Sequence, residues 1–167
     1  MTVDWPLMQN VIRRNSQSNT FGMVRRYPDG RPKPHQGWDF QARIGTDTFA
    51  IADGVVVFVK NNHGDYGTQL CLEFKYNGMS LYAFYAHLNN VFVWSGQTIK
   101  LGQIIASTGD SGNAHGMPSA DEHLHFEIRF KASCGMGLAE RVSPIEVFGL
   151  CPLYAVQEKR VKMCLAT

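Results

Sequence analysis

The chain has 167 residues, 44% of them hydrophobic and 18% charged, which is enough apolar content for one core and most simply a single domain over 1–167. A net charge of +2 from dispersed basic residues argues against a nucleic-acid partner, and the pairs Arg13/Arg14 and Arg25/Arg26 read as solvated surface. No run approaches the length of an apolar membrane span, and the four cysteines (Cys71, Cys134, Cys151, Cys164) lack the CxxC spacing of a cysteine zinc site.

Residues 1–34 are rich in Asn, Ser, Gly and Pro and are expected to form an ordered N-terminal arm with one short helical piece near Pro6 to Arg14. The start, "MTVDWPLMQNVIRR", shows no basic leader followed by an apolar run, so no cleavable secretion signal is read there. From 35 to 130 the chain offers "DGVVVFVK", "TQLCLEFKY", "MSLYAFYAH", "NVFVWSG", "IKLGQIIAST" and "HLHFEIRF", short β-rich runs separated by turn residues. Asn77-Gly78 between two of them is the strongest hairpin signal, because this dipeptide accepts the positive φ angles of a tight turn. The expected fold is mainly β. Residues 131–167 form a C-terminal extension in which Ser143 as N-cap, Pro144 at the first helical position and Gly149 as terminator predict one short helix. Its three cysteines are either partly paired in a disulfide or free thiols, according to the redox compartment.

The histidines carry the chemistry. In "EHLHFEIRF", His123, His125, Glu127 and Arg129 share one parity, while Leu124, Phe126, Ile128 and Phe130 share the other and are expected to pack in the core. Two histidines two apart on a strand can address one point, although an isolated HxH is more often two surface or hydrogen-bonded rings. His35 and Asp39 lie four positions apart in "HQGWD"; on a flat strand their Cα atoms would be about 13 Å apart, too far for one ion. The chain must curve between them, and Gly37 makes a tight bend inexpensive. This bend and one imidazole of the HxH strand give a His2Asp set that leaves a position for water, the pattern of a catalytic zinc site. The remaining histidine of the pair, and His87 at the end of "YAFYAH", could move a proton or steady an oxyanion.

"HQGWDF", "YAHL" and "HLHFEI" resemble, in order, the three signatures of the lysostaphin-like (LytM-type) zinc metalloendopeptidases, which cut peptide cross-links in bacterial peptidoglycan. The resemblance runs over about residues 20 to 130. It implies an antiparallel β-sandwich of the duplicated hybrid motif type with long loops and one or two short helices. It implies one Zn2+ per chain held by His35, Asp39 and His125, with His87 and His123 as the catalytic pair, and stem or cross-bridge peptides of peptidoglycan as substrate. Glu127 reads as an exposed carboxylate on the strand's polar face, with orientation of a histidine as the alternative.

Two departures from the family pattern are visible. The segment "NAHGMPSADE" between the "GDSG" turn and HxH is long and should border the cleft, while His115 within it, and His63, read as exposed loop histidines. The segment from about 131 onward has no counterpart in the resemblance. A cell-wall hydrolase acts in the periplasm or cell wall, so a chain without a leader suggests delivery by a specialised secretion system or a phage, as an antibacterial toxin with a dedicated immunity protein. The competing functions are a non-catalytic family member that regulates other hydrolases, a zinc peptidase acting on a protein, and a sugar-transport phosphocarrier, which would not need the HxxxD ligands.

Overall fold

The computed structural model describes residues 2–160. In chain order its strands are β1 (Gln9–Asn10), β2 (Gly22–Arg26), β3 (Pro32–His35), β4 (Trp38–Gln41), β5 (Asp47–Phe49), β6 (Gly54–Lys60), β7 (Thr68–Tyr76), β8 (Met79–Val91), β9 (Thr98–Ile99), β10 (Ile104–Thr108), β11 (His123–Arg129), β12 (Arg141–Val142) and β13 (Gln157–Glu158). Among the described residues α-helix is confined to one turn, α1 (Ile145–Phe148), beside a few 3-10 turns. The fold is mainly β, as expected.

One large antiparallel sheet runs β12-β11-β8-β7-β6-β9. Strand β4 pairs with β11, and β10 pairs with both β5 and the far end of β8. The hairpin between β7 and β8 turns at Asn77 and Gly78, both at positive φ (48° and 81°), with Tyr76 opposite Met79. That is the backbone an Asn-Gly turn was expected to supply. The core lies against this sheet and includes Phe40, Leu70, Leu72, Tyr85, Leu124 and Phe126. Trp5 of the N-terminal arm stacks on Phe148 of α1 with ring centroids 4.4 Å apart, so the two ends of the chain share that core.

Several local expectations fail for identifiable reasons. No α-helix forms over Pro6 to Arg14, and the only helical piece there is a 3-10 turn at Arg13–Asn15; upstream of it the Asn10 side chain bonds the Leu7 backbone on both sides, accepting from its N at 3.1 Å and donating to its O at 2.7 Å. Such a bond competes with helical pairing, and Asn10 instead joins β1 opposite Gln157. The run "NVFVWSG" is a strand only as far as Val91, where β8 ends; Gln97 N then donates to Trp94 O in a turn. "IKLGQIIAST" is divided by a second turn, closed by Gln103 N donating to Lys100 O with Gly102 at φ 78°. Phe130 is 49% exposed, because β11 stops at Arg129. Ser143 makes no side-chain cap; Pro144 takes the N-cap position of α1, and Gly149 at φ 80° ends it. Cys71, Cys134 and Cys151 are free thiols, and Cys164 lies outside the described residues.

The bend between β3 and β4 positions the site, and the role of Gly37 there differs from the expected one. Its φ is not positive. What it provides is closeness: a Cβ at Gly37 would sit 2.1 Å from Phe126 O and 2.9 Å from the Glu127 Cγ. Neither neighbour can retreat, since both belong to the buried strand β11. Gly37→Ala should therefore destabilise the protein by about 1–3 kcal/mol through overpacking. Chemical denaturation would measure this, and an unchanged midpoint would contradict the close-approach reading.

Candidate metal and catalytic site

All five histidine and aspartate positions singled out from the sequence line one cavity of about 240 Å³. His35, Asp39, His87, His123 and His125 are all buried. The cluster is assembled by register: His125 on β11 lies opposite Asp39 on β4 and, across its other edge, opposite Ala86 on β8. His35 at the end of β3 reaches the same point because the chain turns at Gln36 and Gly37. His87 gets there by a distortion. It sits at φ 58°, unusual for a residue with a side chain, where the pairing of β7 with β8 slips between Thr68 and Leu70. A bulge of this kind re-aims a side chain, and the strain of about 1–3 kcal/mol must be offset by the surrounding sheet.

Three donor atoms converge: those of His35, Asp39 and His125 lie within 4.8 Å of one another. Asp39 Oδ1 is 3.1 Å from His35 Nε2 and 2.8 Å from His125 Nδ1. The other carboxylate oxygen, Oδ2, accepts from Arg25 Nη2 at 2.8 Å. Burial alone would raise the pKa of Asp39, but His35 and His125 pull it well below the usual carboxylate range.

Backbone carbonyls fix the ring tautomers. A carbonyl only accepts, so the ring nitrogen facing it must carry the proton. His35 Nδ1 donates to Thr20 O, His87 Nδ1 to Ser111 O and His123 Nδ1 to Asp121 O, each at 2.8 Å. In the neutral rings all three Nε2 atoms are then left with a lone pair. Burial, followed by the neighbouring His125 and His123, pushes His87 down to about 3, so it stays neutral at physiological pH. Burial also lowers His123, with Asp39 opposing and Arg13 adding to the effect. The rings of His87 and His123 stand 5.0 Å apart, and His87 is 6.0 Å from His125.

His125 differs from the rest. Its Nδ1 faces Asp39, and its Nε2 lies 2.9 Å from Glu127 Oε1. Burial disfavours its charge, yet the two carboxylates raise it to about 9, because each ring nitrogen faces an acceptor. A ring that donates from Nε2 to Glu127 presents the Nδ1 lone pair toward Asp39 and His35 as soon as a cation takes the proton's place. Glu127 is thus not the exposed carboxylate of the sequence reading. It is fully buried, accepts from Tyr66 Oη at 2.7 Å, and its Oε2 accepts from Arg129 Nε at 2.6 Å and Arg141 Nε at 2.7 Å. Burial raises its pKa, but His125 and Arg129 more than reverse that. The signal was present in the sequence: Glu127 has the parity of His123 and His125, so whatever buries the histidines buries it too.

The basic pairs of the arm were also misread. Arg14 is surface-exposed and clamps Asp121 at 2.9 and 3.0 Å, but Arg13 and Arg25 turn inward and line the cavity. No local pattern marks Arg13, which stands 110 positions from the His123 it adjoins. The long loop does border the cleft, through Asn113 and Met117, whereas His115 and His63 are exposed as expected.

Residues 33–135 match Peptidase family M23. The chain belongs to this family. Among curated relatives, peptidoglycan DD-endopeptidase ShyB of Vibrio cholerae is 37% identical over 110 residues, covering 65% of this chain and 24% of the relative. Murein hydrolase activator NlpD of Escherichia coli is 36% identical over 97 residues, covering 58% of this chain and 23% of the relative. The chain thus spans about a quarter of the length of these relatives. Among solved structures, the catalytic domain of lysostaphin from Staphylococcus simulans superposes with a TM-score of 0.59 at 27% identity, covering 79% of this chain and 90% of that one. A zinc-containing peptidase from Vibrio cholerae superposes with a TM-score of 0.59 at 31% identity, covering 78% of this chain and 40% of that one.

The donor set fits the zinc that the family implies. Tetrahedral zinc with ligands near 2 Å keeps neighbouring donors roughly 3.3 Å apart, close to the separations of Asp39 Oδ1 from the His35 and His125 nitrogens. Two imidazoles with lone pairs turned inward and one carboxylate are its usual nitrogen and oxygen ligands. Because Glu127 fixes the His125 tautomer, Glu127→Gln should weaken zinc binding by about 10- to 100-fold. A chelator-competition titration would measure it, and unaltered affinity in a folded variant would contradict the orienting role.

Proposed function

We propose that this M23 domain is a zinc-dependent endopeptidase that hydrolyses peptide cross-links of bacterial peptidoglycan, working in the periplasm or cell wall. His35, Asp39 and His125 would hold one zinc ion, and His87 and His123 would handle the proton. The observation that carries this reading is the pair of buried imidazoles, each held by a carbonyl at Nδ1 with Nε2 left free, beside a three-donor cluster, all facing one cavity.

Zinc bound there would supply Lewis acidity toward the scissile carbonyl and the attacking water. The chain's own groups do the rest. Hydrolysis adds hydroxyl to the carbonyl carbon, breaks the C–N bond and delivers a proton to the leaving amine. A neutral His87 or His123 can accept the water's proton at Nε2, because its Nδ1 proton is already committed to a carbonyl. Once protonated, that ring is a donor, able to steady the oxyanion and then to protonate the amine. The carbonyls of Ser111 and Asp121 hold both rings in place through the cycle, and burial keeps bulk water from competing.

ShyB and its relatives with DD-endopeptidase names support the cell-wall substrate. NlpD, named an activator, represents the competing regulatory reading. The presence of all five side chains at one cavity favours an enzyme, since a regulator has no need of them. Incubation with purified peptidoglycan, followed by mass spectrometry of the released muropeptides, tests the proposal. Wild type should convert cross-linked to uncross-linked fragments, and His123→Ala should lower the rate by about 10²-fold or more. No new fragments, or the same fragments at the same rate from His123→Ala, would refute the hydrolase reading.

A further inference from the structure

The wall of the cavity beside His123 is made by Arg13, a residue of the N-terminal arm outside the segment 33–135 that matches the family. Its guanidinium is poorly matched to its surroundings. It has five N–H donors and one good bond, from Nη2 to Asn19 Oδ1 at 2.8 Å. Nη1 meets only Asp121 O at 3.4 Å and Met117 Sδ at 3.7 Å. Its 3.2 Å approach to His123 Nδ1 is not a hydrogen bond, because that nitrogen already donates to Asp121 O. Nε is buried with no partner. The nearest carboxylate oxygen, Asp39 Oδ2, is 3.4 Å away and is already held by Arg25 at 2.8 Å. Arg13 is therefore a largely buried cation that shares the Asp39 carboxylate with Arg25 and holds it by the longer contact, next to a histidine proposed to act on the proton. Buried charges of this kind are normally paired, and a guanidinium short of acceptors in a cavity wall matches the planar, two-oxygen acceptor of a carboxylate.

We propose that Arg13 is a specificity-determining residue that binds a free carboxylate flanking the scissile amide, so that the site selects anionic cross-links over neutral or amidated ones. The inference rests on the endopeptidase reading and adds the charge of the substrate to it. Neighbouring contacts are suited to such a role. Arg14 clamps Asp121, and Arg13 touches Met117 and Asp121, so the arm and the loop that borders the cleft are joined into one wall. A substrate carboxylate would take up the donors that Nη1 leaves under-used, in a place where burial makes a charge-assisted bond count.

The test uses two synthetic cross-linked peptides of identical sequence, one with a free carboxylate flanking the scissile amide and one with the carboxamide. Wild type loaded with zinc should favour the carboxylate by about 10- to 100-fold in kcat/KM, mainly through KM. Arg13→Gln should erase that preference, bringing kcat/KM for the two peptides to the same value, and Arg13→Lys should keep part of it. Equal cleavage of both peptides by wild type overturns the proposal without any variant and leaves the endopeptidase reading standing. A folded Arg13→Gln that retains the preference also overturns it. So does one that loses both substrates equally, since Arg13 would then be positioning His123 or Asp39 instead. Cleavage of neither peptide by wild type removes the endopeptidase reading, and this proposal with it.

Discussion

Asp39 and His125 face each other in register on adjacent antiparallel strands, Oδ1 and Nδ1 2.8 Å apart, and the rest of the site is arranged to make that contact tolerable. A buried carboxylate and imidazole are costly to remove from water unless their remaining lone pairs and protons are satisfied. Here Arg25 takes the second oxygen of Asp39, and Glu127 takes the second nitrogen of His125. Glu127 in turn is neutralised by Arg129 and Arg141. The outcome is a chain of oriented groups whose free lone pairs all turn toward one point. Such a set is organised for a cation, and without one it requires His125 to carry an extra proton.

The supports of this contact come from three parts of the chain. The segment 33–135 that matches the family supplies both strands of this contact, His87 and Glu127. The arm supplies Arg13 and Arg25. The C-terminal extension supplies Arg141, whose Nη1 is held by the carbonyls of Gly135 and Gly137 at 2.8 and 2.9 Å, and Met136, which lines the cleft. A buried ion pair between Asp4 and Lys159 ties the two ends together at 2.8 Å. The site is thus a product of the whole described chain.

The residues whose chemistry is legible in local spacing were the ones sequence reasoning found. HxxxD and HxH each put two donors within a few positions, and the resemblance of these motifs and YAHL to the lysostaphin-like signatures implied that His35, Asp39, His87, His123 and His125 converge. The β7–β8 hairpin was legible for a related reason, since Asn77-Gly78 encodes its own turn. What escaped is set by long-range packing. Arg13 and Arg25 look like solvated charges until the arm folds across the sheet, and Gly37 looks like the residue that eases a tight bend until β11 is seen to touch it. The helix foreseen near Pro6 to Arg14 lost to side-chain bonds of Asn10 and to pairing with β13, a partner more than a hundred residues away. Glu127 lies between these cases, legible by parity yet unassignable without knowing what lies above the strand.

The account divides the HxH pair by role, with His125 on the metal and His123 on the proton, although the two rings are equally buried neighbours on one strand. Zinc content of His125→Ala and His123→Ala, purified without chelator and checked for fold, tests that division most directly. The account predicts that His125→Ala loses its zinc, whereas His123→Ala keeps one zinc per chain and loses turnover. Equal zinc loss in both variants, or a full zinc complement in both, would contradict it.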